Sequence, residues 1–150
     1  MSKGEPCEPG LEFHAATVKD VPQLARMNRQ LIIDEGHRNQ MTLPALEQRM
    51  MRWIAGEEYK AILIAQQGAI AGYALYRIEP DPRHVYLRQF FVAGPMRRHG
   101  LGRKAIEWLR IHEWADVRRV RIDVLVGNSD GIAFWRAVGF RDYCLTMELE

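Results

Sequence analysis

Arg97, Arg98, His99, Arg103 and Lys104 crowd around Gly100-Leu101-Gly102, where the residue pattern opens a helix. The first turn of a helix leaves backbone N–H groups without intrahelical acceptors and carries the positive end of the helix dipole. Glycine there lets a bulky anion approach the main chain. The segment is therefore suited to a phosphate-containing ligand. It follows a segment that reads as a buried strand, Leu87 to Val92, and a loop from Ala93 to His99 marked by Gly94-Pro95.

Spacing separates the phosphate ligands such a loop could take. A P-loop requires G-x-x-x-x-G-K-[ST], but five residues lie between Gly94 and Gly100, and Leu101 stands where lysine is needed. A dinucleotide G-x-G-x-x-G/A pattern can be laid over Gly100, Gly102 and Ala105, with Asp123 downstream at a suitable distance. That fingerprint starts directly after its strand, whereas seven residues separate Val92 from Gly100.

The elements that hold this loop are legible from periodicity. A chain of 150 residues, 47% hydrophobic and 27% charged, makes one domain with one core. Residues 1–10 have little to bury and read as a flexible tail before a single domain over 11–150. Leu11 to Ala15 alternates as a strand, and Asp20 and Pro22 open a helix from Val21 to Asp34 that Gly36 ends. Thr42 and Pro44 start a second helix that stops before Gly56. Tyr59–Ala65, Ile70–Ile78 and Val85–Val92 are three strands, the first two joined by a hairpin signal. A helix follows Gly100, and a strand runs from Val120 to Val126. A short helix, Gly131 to Ala137, is capped near Asn128, and a last strand lies near Asp142 to Leu149. The order β-α-α-β-β-β-α-β-α-β is a mixed α/β (α+β) fold: a mostly antiparallel sheet flanked by helices.

Charge and cysteines narrow the classes. A net charge of +2, from 21 Lys+Arg and 19 Asp+Glu, is too small for a general nucleic-acid surface. Cys7 and Cys144 suggest neither a disulfide framework nor a metal site. No run reaches the ~18 apolar residues of a membrane span, and no secretory leader is evident, so a cytoplasmic protein is expected.

Arg97-Arg98-His99-Gly100-Leu101-Gly102 resembles the R/Q-x-x-G-x-G/A acyl-CoA loop of the GNAT superfamily of N-acetyltransferases. Asn128, Phe134-Trp135 and Gly139-Phe140 are similar to that family's N-x-x-A-x-x-F-Y-x-x-x-G-F segment. The two motifs stand in the family's order, and the likeness spans the chain from about Leu11 onward.

The resemblance implies acetyl-CoA as cosubstrate, no metal, and transfer to a primary amine of a small molecule or peptide by direct attack. Main-chain N–H groups from Arg98 through His99, Gly100, Leu101 and Gly102 to Arg103 would bind the pyrophosphate, with Arg97, Arg98, Arg103 and Lys104 adding charge. Phe91, Val92 and Ala93 would pair with pantetheine as an extra strand, and the Val92 N–H would polarise the thioester. Asn128 would hold pantetheine or simply cap its helix, and Phe134 and Trp135 would line the same site.

Two departures from the family pattern matter. Trp135 replaces the thiolate-protonating tyrosine, which leaves Tyr143, Tyr86 or Tyr73 as substitutes, or an unprotonated leaving group. No carboxylate lies between Asp81 and Glu107, so the base must come from Glu35 or His37, in the connection that forms the acceptor pocket in this fold, or from Glu79 or His84. Asp123 either pairs with an arginine or reaches the pocket. The alternative is a CoA-binding regulatory module without turnover. No nucleic-acid or membrane partner is expected, and a homodimer through the last strand stays open.

Overall fold

The computed structural model describes residues 10–150. Nine of the ten residues assigned to a flexible tail, and Cys7 among them, lie outside the described residues. Gly10 is anchored, since its carbonyl accepts the Gln67 N–H at 2.7 Å.

The elements are β1 (Leu11–Ala15), α1 (Val21–Asp34), α2 (Leu43–Ala55), β2 (Lys60–Gln66), β3 (Ala69–Pro80), β4 (Arg83–Val92), α3 (Leu101–His112), β5 (Val120–Arg121) and α4 (Ser129–Ala137). The five strands lie in sequence order, antiparallel except for the parallel β4–β5 pair. Thr42 caps α2 by accepting the Ala45 N–H. Asp20 does not cap α1 as its position suggests; its carboxylate accepts the Thr17 N–H at 2.8 Å, closing the turn before the helix.

Helices cover both faces of the sheet. Val21, Leu24, Met50 and Trp53 of α1 and α2 pack on Ala61, Leu63, Tyr73, Leu75 and Phe91. On the opposite face Ile106, Leu109 and Trp135 pack on Ile62, Ala74, Val85 and Leu87. Two-sided burial explains why β2 and β3 read as unbroken apolar runs rather than alternating ones.

A β-bulge in β4 sets up the rest. Leu75 pairs with Gln89 and Tyr76 with Leu87, so Arg88 is the extra residue. Val85 and Leu87 face α3 and α4, whereas Gln89 and Phe91, beyond the bulge, lie on the α1/α2 face with Tyr73. Beyond the bulge β4 also loses its outer neighbour: β5 pairs only Val120 with Val85 and Arg121 with Tyr86.

The strand expected over Val120–Val126 is thus two residues long. Ile122 and Val124 still pack into the cluster beneath α3 and α4, but without a ladder to β4. The strand expected over Asp142–Leu149 does not form. With β5 so short, that segment has no edge to join, and its apolar positions Tyr143, Leu145, Met147 and Leu149 are exposed. Polar contacts hold it instead, from Arg136 to Asp142, Arg121 to Tyr143 and Arg38 to Glu148.

Gly72 sits opposite Val92, and a Cβ there would stand 2.0 Å from the Phe91 carbonyl oxygen. Backbone cannot yield as a side chain does, so Gly72→Ala is expected to destabilise the protein by about 2–4 kcal/mol, at the upper end of the usual range for overpacking and beyond. Urea denaturation checks it; a loss under ~1 kcal/mol would show that β3 and β4 can separate there at little cost.

Candidate functional site

The parting of β4 and β5 leaves the outer edge of Leu87–Val92 without a strand partner. Ala93 donates its N–H to the Ala71 carbonyl at 2.7 Å. Alternation along an antiparallel ladder then turns the N–H and C=O groups of Phe90 and Val92 away from β3, into the gap. The Val92 carbonyl accepts from Arg97 Nε at 2.7 Å. Its N–H faces the cleft.

At the end of that strand the chain makes a short turn, Gly94–Met96, and reaches α3 through two left-handed residues, Arg98 (φ 65°) and Gly100 (φ 76°). A left-handed arginine costs about 1–2 kcal/mol, which the fold tolerates where the backbone must present its N–H groups in a set direction. Gly100 is the N-cap of α3 and supplies no side-chain acceptor to the first turn, so the N–H groups of Leu101, Gly102 and Arg103 stay available. This concave run of amides suits an anion.

The side chains around the loop divide differently from the sequence expectation. Arg97 is committed inward, ion-paired with Asp34 at the end of α1 and lying 5.7 Å from the Phe91 ring centre. Arg103 donates to the Ala137 carbonyl at 3.0 Å, at the C-terminus of α4. Arg98 and His99 are exposed, and Leu101 is buried in the core, so it can serve a ligand only through its main chain. Lys104 lies with His99, Pro95 and Met96 around a cavity of about 300 Å³. Gly102 answers to packing rather than to an anion, because a Cβ would meet the Phe134 ring at 2.9 Å.

Across the cleft, Asn128 caps α4, its Oδ1 accepting the Gly131 N–H at 3.1 Å. Phe134 stacks on Phe90 at 6.0 Å between ring centres, and Trp135 meets Phe90 edge-on at 5.3 Å. Trp135 is 8% exposed and belongs to the core cluster beneath α3 and α4.

On the α1/α2 face, Glu35 is half-buried, and burial, with the Asp34 charge second, pushes its carboxyl above the usual range. The Asp34–Arg97–Val92 chain of contacts brings this end of α1 to the end of β4. His37 is exposed, and its Nδ1 accepts the Asn39 N–H at 3.0 Å, which puts the proton of the neutral ring on Nε2. Its one ring lone pair is thereby engaged by the main chain.

Other candidates are held elsewhere. Glu79 pairs with Arg77, and His84 is buried with Nδ1 at 2.7 Å from the Pro82 carbonyl. Tyr73 is fully buried and donates to Gln89 Oε1 at 2.8 Å. Tyr86 donates to Asp123 Oδ2 at 3.0 Å, so the partner of Asp123 is a tyrosine and not an arginine; burial and that carboxylate push the phenol up to about 12. Tyr143 is exposed, with its ring over Arg121 at 4.6 Å. Arg121 pairs with Tyr86, six residues before Val92 on β4, roughly 20 Å away at ~3.3 Å per residue. Tyr143→Phe is accordingly expected to leave kcat within about twofold, as surface changes away from a site generally do; a tenfold loss in a steady-state assay would restore Tyr143 as the acid.

Arg88, which with Arg38 could select an acceptor carboxylate on sequence grounds, lies against Trp53 on this face, whereas Arg38 is turned to Glu148; sequence periodicity overlooked its neighbours Asn28 and Arg49. A signal existed: Asn28 falls in the stripe Leu24–Leu31, and Arg49 sits beside Met50 between Leu46 and Trp53.

Among the described residues there is no cluster of three or more potential metal ligands and no helix long and apolar enough to cross a membrane.

An α/β sheet that opens beside an uncapped helix N-terminus, with an outward strand amide at the opening, defines a protein built to hold an extended ligand ending in an anionic group. The model of the acetyltransferase (GNAT) family matches residues 28–140, and the chain belongs to that family of acetyl-CoA-dependent N-acetyltransferases. Similar solved structures include a possible acetyltransferase from Clostridium difficile 630, 14% identical over 93% of this chain and 96% of that one, with a TM-score of 0.79. A predicted acetyltransferase from Clostridium acetobutylicum, solved with acetyl-CoA, is 14% identical over 93% and 96% of the two chains, TM-score 0.73. The aminoglycoside N-acetyltransferase AAC(6')-Iy, solved with CoA, is 14% identical over 97% of each chain, TM-score 0.77. At these identities the likeness is one of fold. No curated protein sequence matches significantly.

Proposed function

We propose that this chain transfers acetyl from acetyl-CoA to a primary amine of a small molecule or peptide by direct attack. The observation that carries the reading is the outward Val92 N–H on an unpaired stretch of β4, which runs straight into the amide-lined start of α3. The N–H groups of residues 98–103 hold the pyrophosphate, Phe90 and Val92 pair with pantetheine, and the Asn128 amide contributes from the opposite side.

In the reaction the amine lone pair attacks the thioester carbonyl carbon while the developing oxyanion is stabilised by the Val92 N–H. Glu35 takes the ammonium proton, directly or through water, so that the lone pair is available. The C–S bond then breaks, the electron pair leaves with sulfur, and the nitrogen sheds its second proton to water to give the neutral amide. A thiol is acidic enough to depart as thiolate near neutrality, which suits a site where Trp135 stands in place of a proton donor.

Calorimetric titration with acetyl-CoA, followed by a thiol-release assay over a broad amine panel, tests the proposal. Binding with transfer to at least one amine is expected. Failure of acetyl-CoA to bind at millimolar concentration would refute it, and tight binding without transfer to any amine would make the chain a CoA-binding regulatory module.

A further inference from the structure

The α1/α2 face carries two guanidinium groups that no acid matches. Arg49 and Arg88 lie 4.6 Å and 4.7 Å from the centre of the Trp53 ring. Arg88 also donates to the Tyr59 hydroxyl at 3.3 Å, and Arg49 donates to Asn28 Oδ1 at 3.1 Å. The buried Nε of Arg49 has no hydrogen-bond partner. Among the described residues neither guanidinium has a carboxylate within ion-pair distance.

Such a pair is unfavourable as it stands. Burial, the Arg88 charge and, more weakly, the Arg52 charge all loosen the hold of Arg49 on its proton. Like charges held against a buried aromatic floor are ordinarily compensated by an anion. The fork of an arginine matches a carboxylate or phosphate in two parallel hydrogen bonds.

The position of the pair indicates what supplies that anion. Arg88 is the bulged residue of β4, four residues before Val92, roughly 13 Å along the strand at ~3.3 Å per residue. Trp53, which both guanidinium groups touch, packs in one cluster with Leu31 of α1 and Phe91 of β4, and Glu35 lies one helical turn beyond Leu31, so the base and the pair share the α1/α2 face. Resting on the acetyl-transfer reading of this site, we propose that the acceptor is an amine bearing a carboxylate or phosphate several bonds away. Arg49 and Arg88 hold the anion while the amine reaches Glu35 and Val92.

The test compares aminohexanoate, aminohexyl phosphate, hexylamine and hexanediamine as acceptors. One of the two anionic acceptors is expected to exceed hexylamine in kcat/KM by about ten- to a hundredfold, the range of a charge-assisted pair, and the better of them identifies the group. Arg88 is exposed, and Arg88→Gln removes its charge while keeping a polar side chain over Trp53; it is expected to bring the ratio near one, with Arg88→Lys intermediate and the distant Arg110→Gln unchanged. A binding readout is independent of turnover: the Arg49 and Arg88 Nε–Hε NMR signals are expected to shift on addition of hexanoate or inorganic phosphate. Hexylamine or hexanediamine matching both anionic acceptors would overturn the inference and leave acetyl transfer standing. Unmoved arginine signals at millimolar anion would overturn it even if no acceptor turned over, and absence of acetyl-CoA binding would refute the enzyme reading separately.

Discussion

Val92→Pro is expected to lower kcat about a hundred- to a thousandfold, the loss that follows removal of one oxyanion donor. Proline deletes the N–H of Val92, and that N–H takes no part in the β3–β4 ladder, whose bonds at this end run through Ala93 and its partner Ala71. Proline is tolerated at a strand edge when the missing donor points outward, and the extended conformation of Phe91 already satisfies the restriction on the residue before it. The fold should survive while the donor proposed for the thioester carbonyl is lost. Val92→Ala, which keeps the N–H, is expected to stay within a few-fold of the native rate. Pre-steady-state acetyl transfer with calorimetric acetyl-CoA affinities separates chemistry from binding. A proline variant with kcat within threefold of native would remove Val92 from the mechanism.

Glu35→Gln is expected to reduce kcat/KM by about a hundredfold, the lower end of what a positioned base contributes. The pH profile carries the sharper test. Burial, and secondarily Asp34, raise the Glu35 carboxyl above its ordinary value, so it keeps its proton to higher pH than a solvated glutamate and is a base only above that point. The native profile should therefore rise with unit slope through a pKa above the ordinary ~4.3 and flatten beyond it, and the glutamine variant should lose that limb. Asp34→Asn removes one of the two causes and is expected to move the limb toward lower pH. An unchanged limb in Glu35→Gln would assign the proton to another group.

Much of the fold was legible because its signals are local. The apolar stripe of α1, the Thr42 and Asn128 caps, and the runs of β2, β3 and β4 each report backbone geometry within a few residues. The same holds for the glycine-marked start of α3. What could not be read is how distant groups choose partners. Arg97 looks like a ligand-binding cation in sequence, yet Asp34, far upstream, claims it; Asp123 finds Tyr86. Tyr143 looked available as an acid, but the strand meant to carry it does not form.

By itself, then, the sequence determined the order of elements, the amide-rich turn at Arg98–Arg103 and the family those motifs belong to. Only the tertiary structure decided that β4 bulges at Arg88, that β5 leaves it after Arg121, and that Arg49 and Arg88 both lie against the Trp53 ring. The physical reason is range. Helix and strand periods and caps are set by neighbours along the chain, whereas bulges, strand partings and charge pairs are settled by which surfaces pack together, and no short window of residues contains both sides of such a contact.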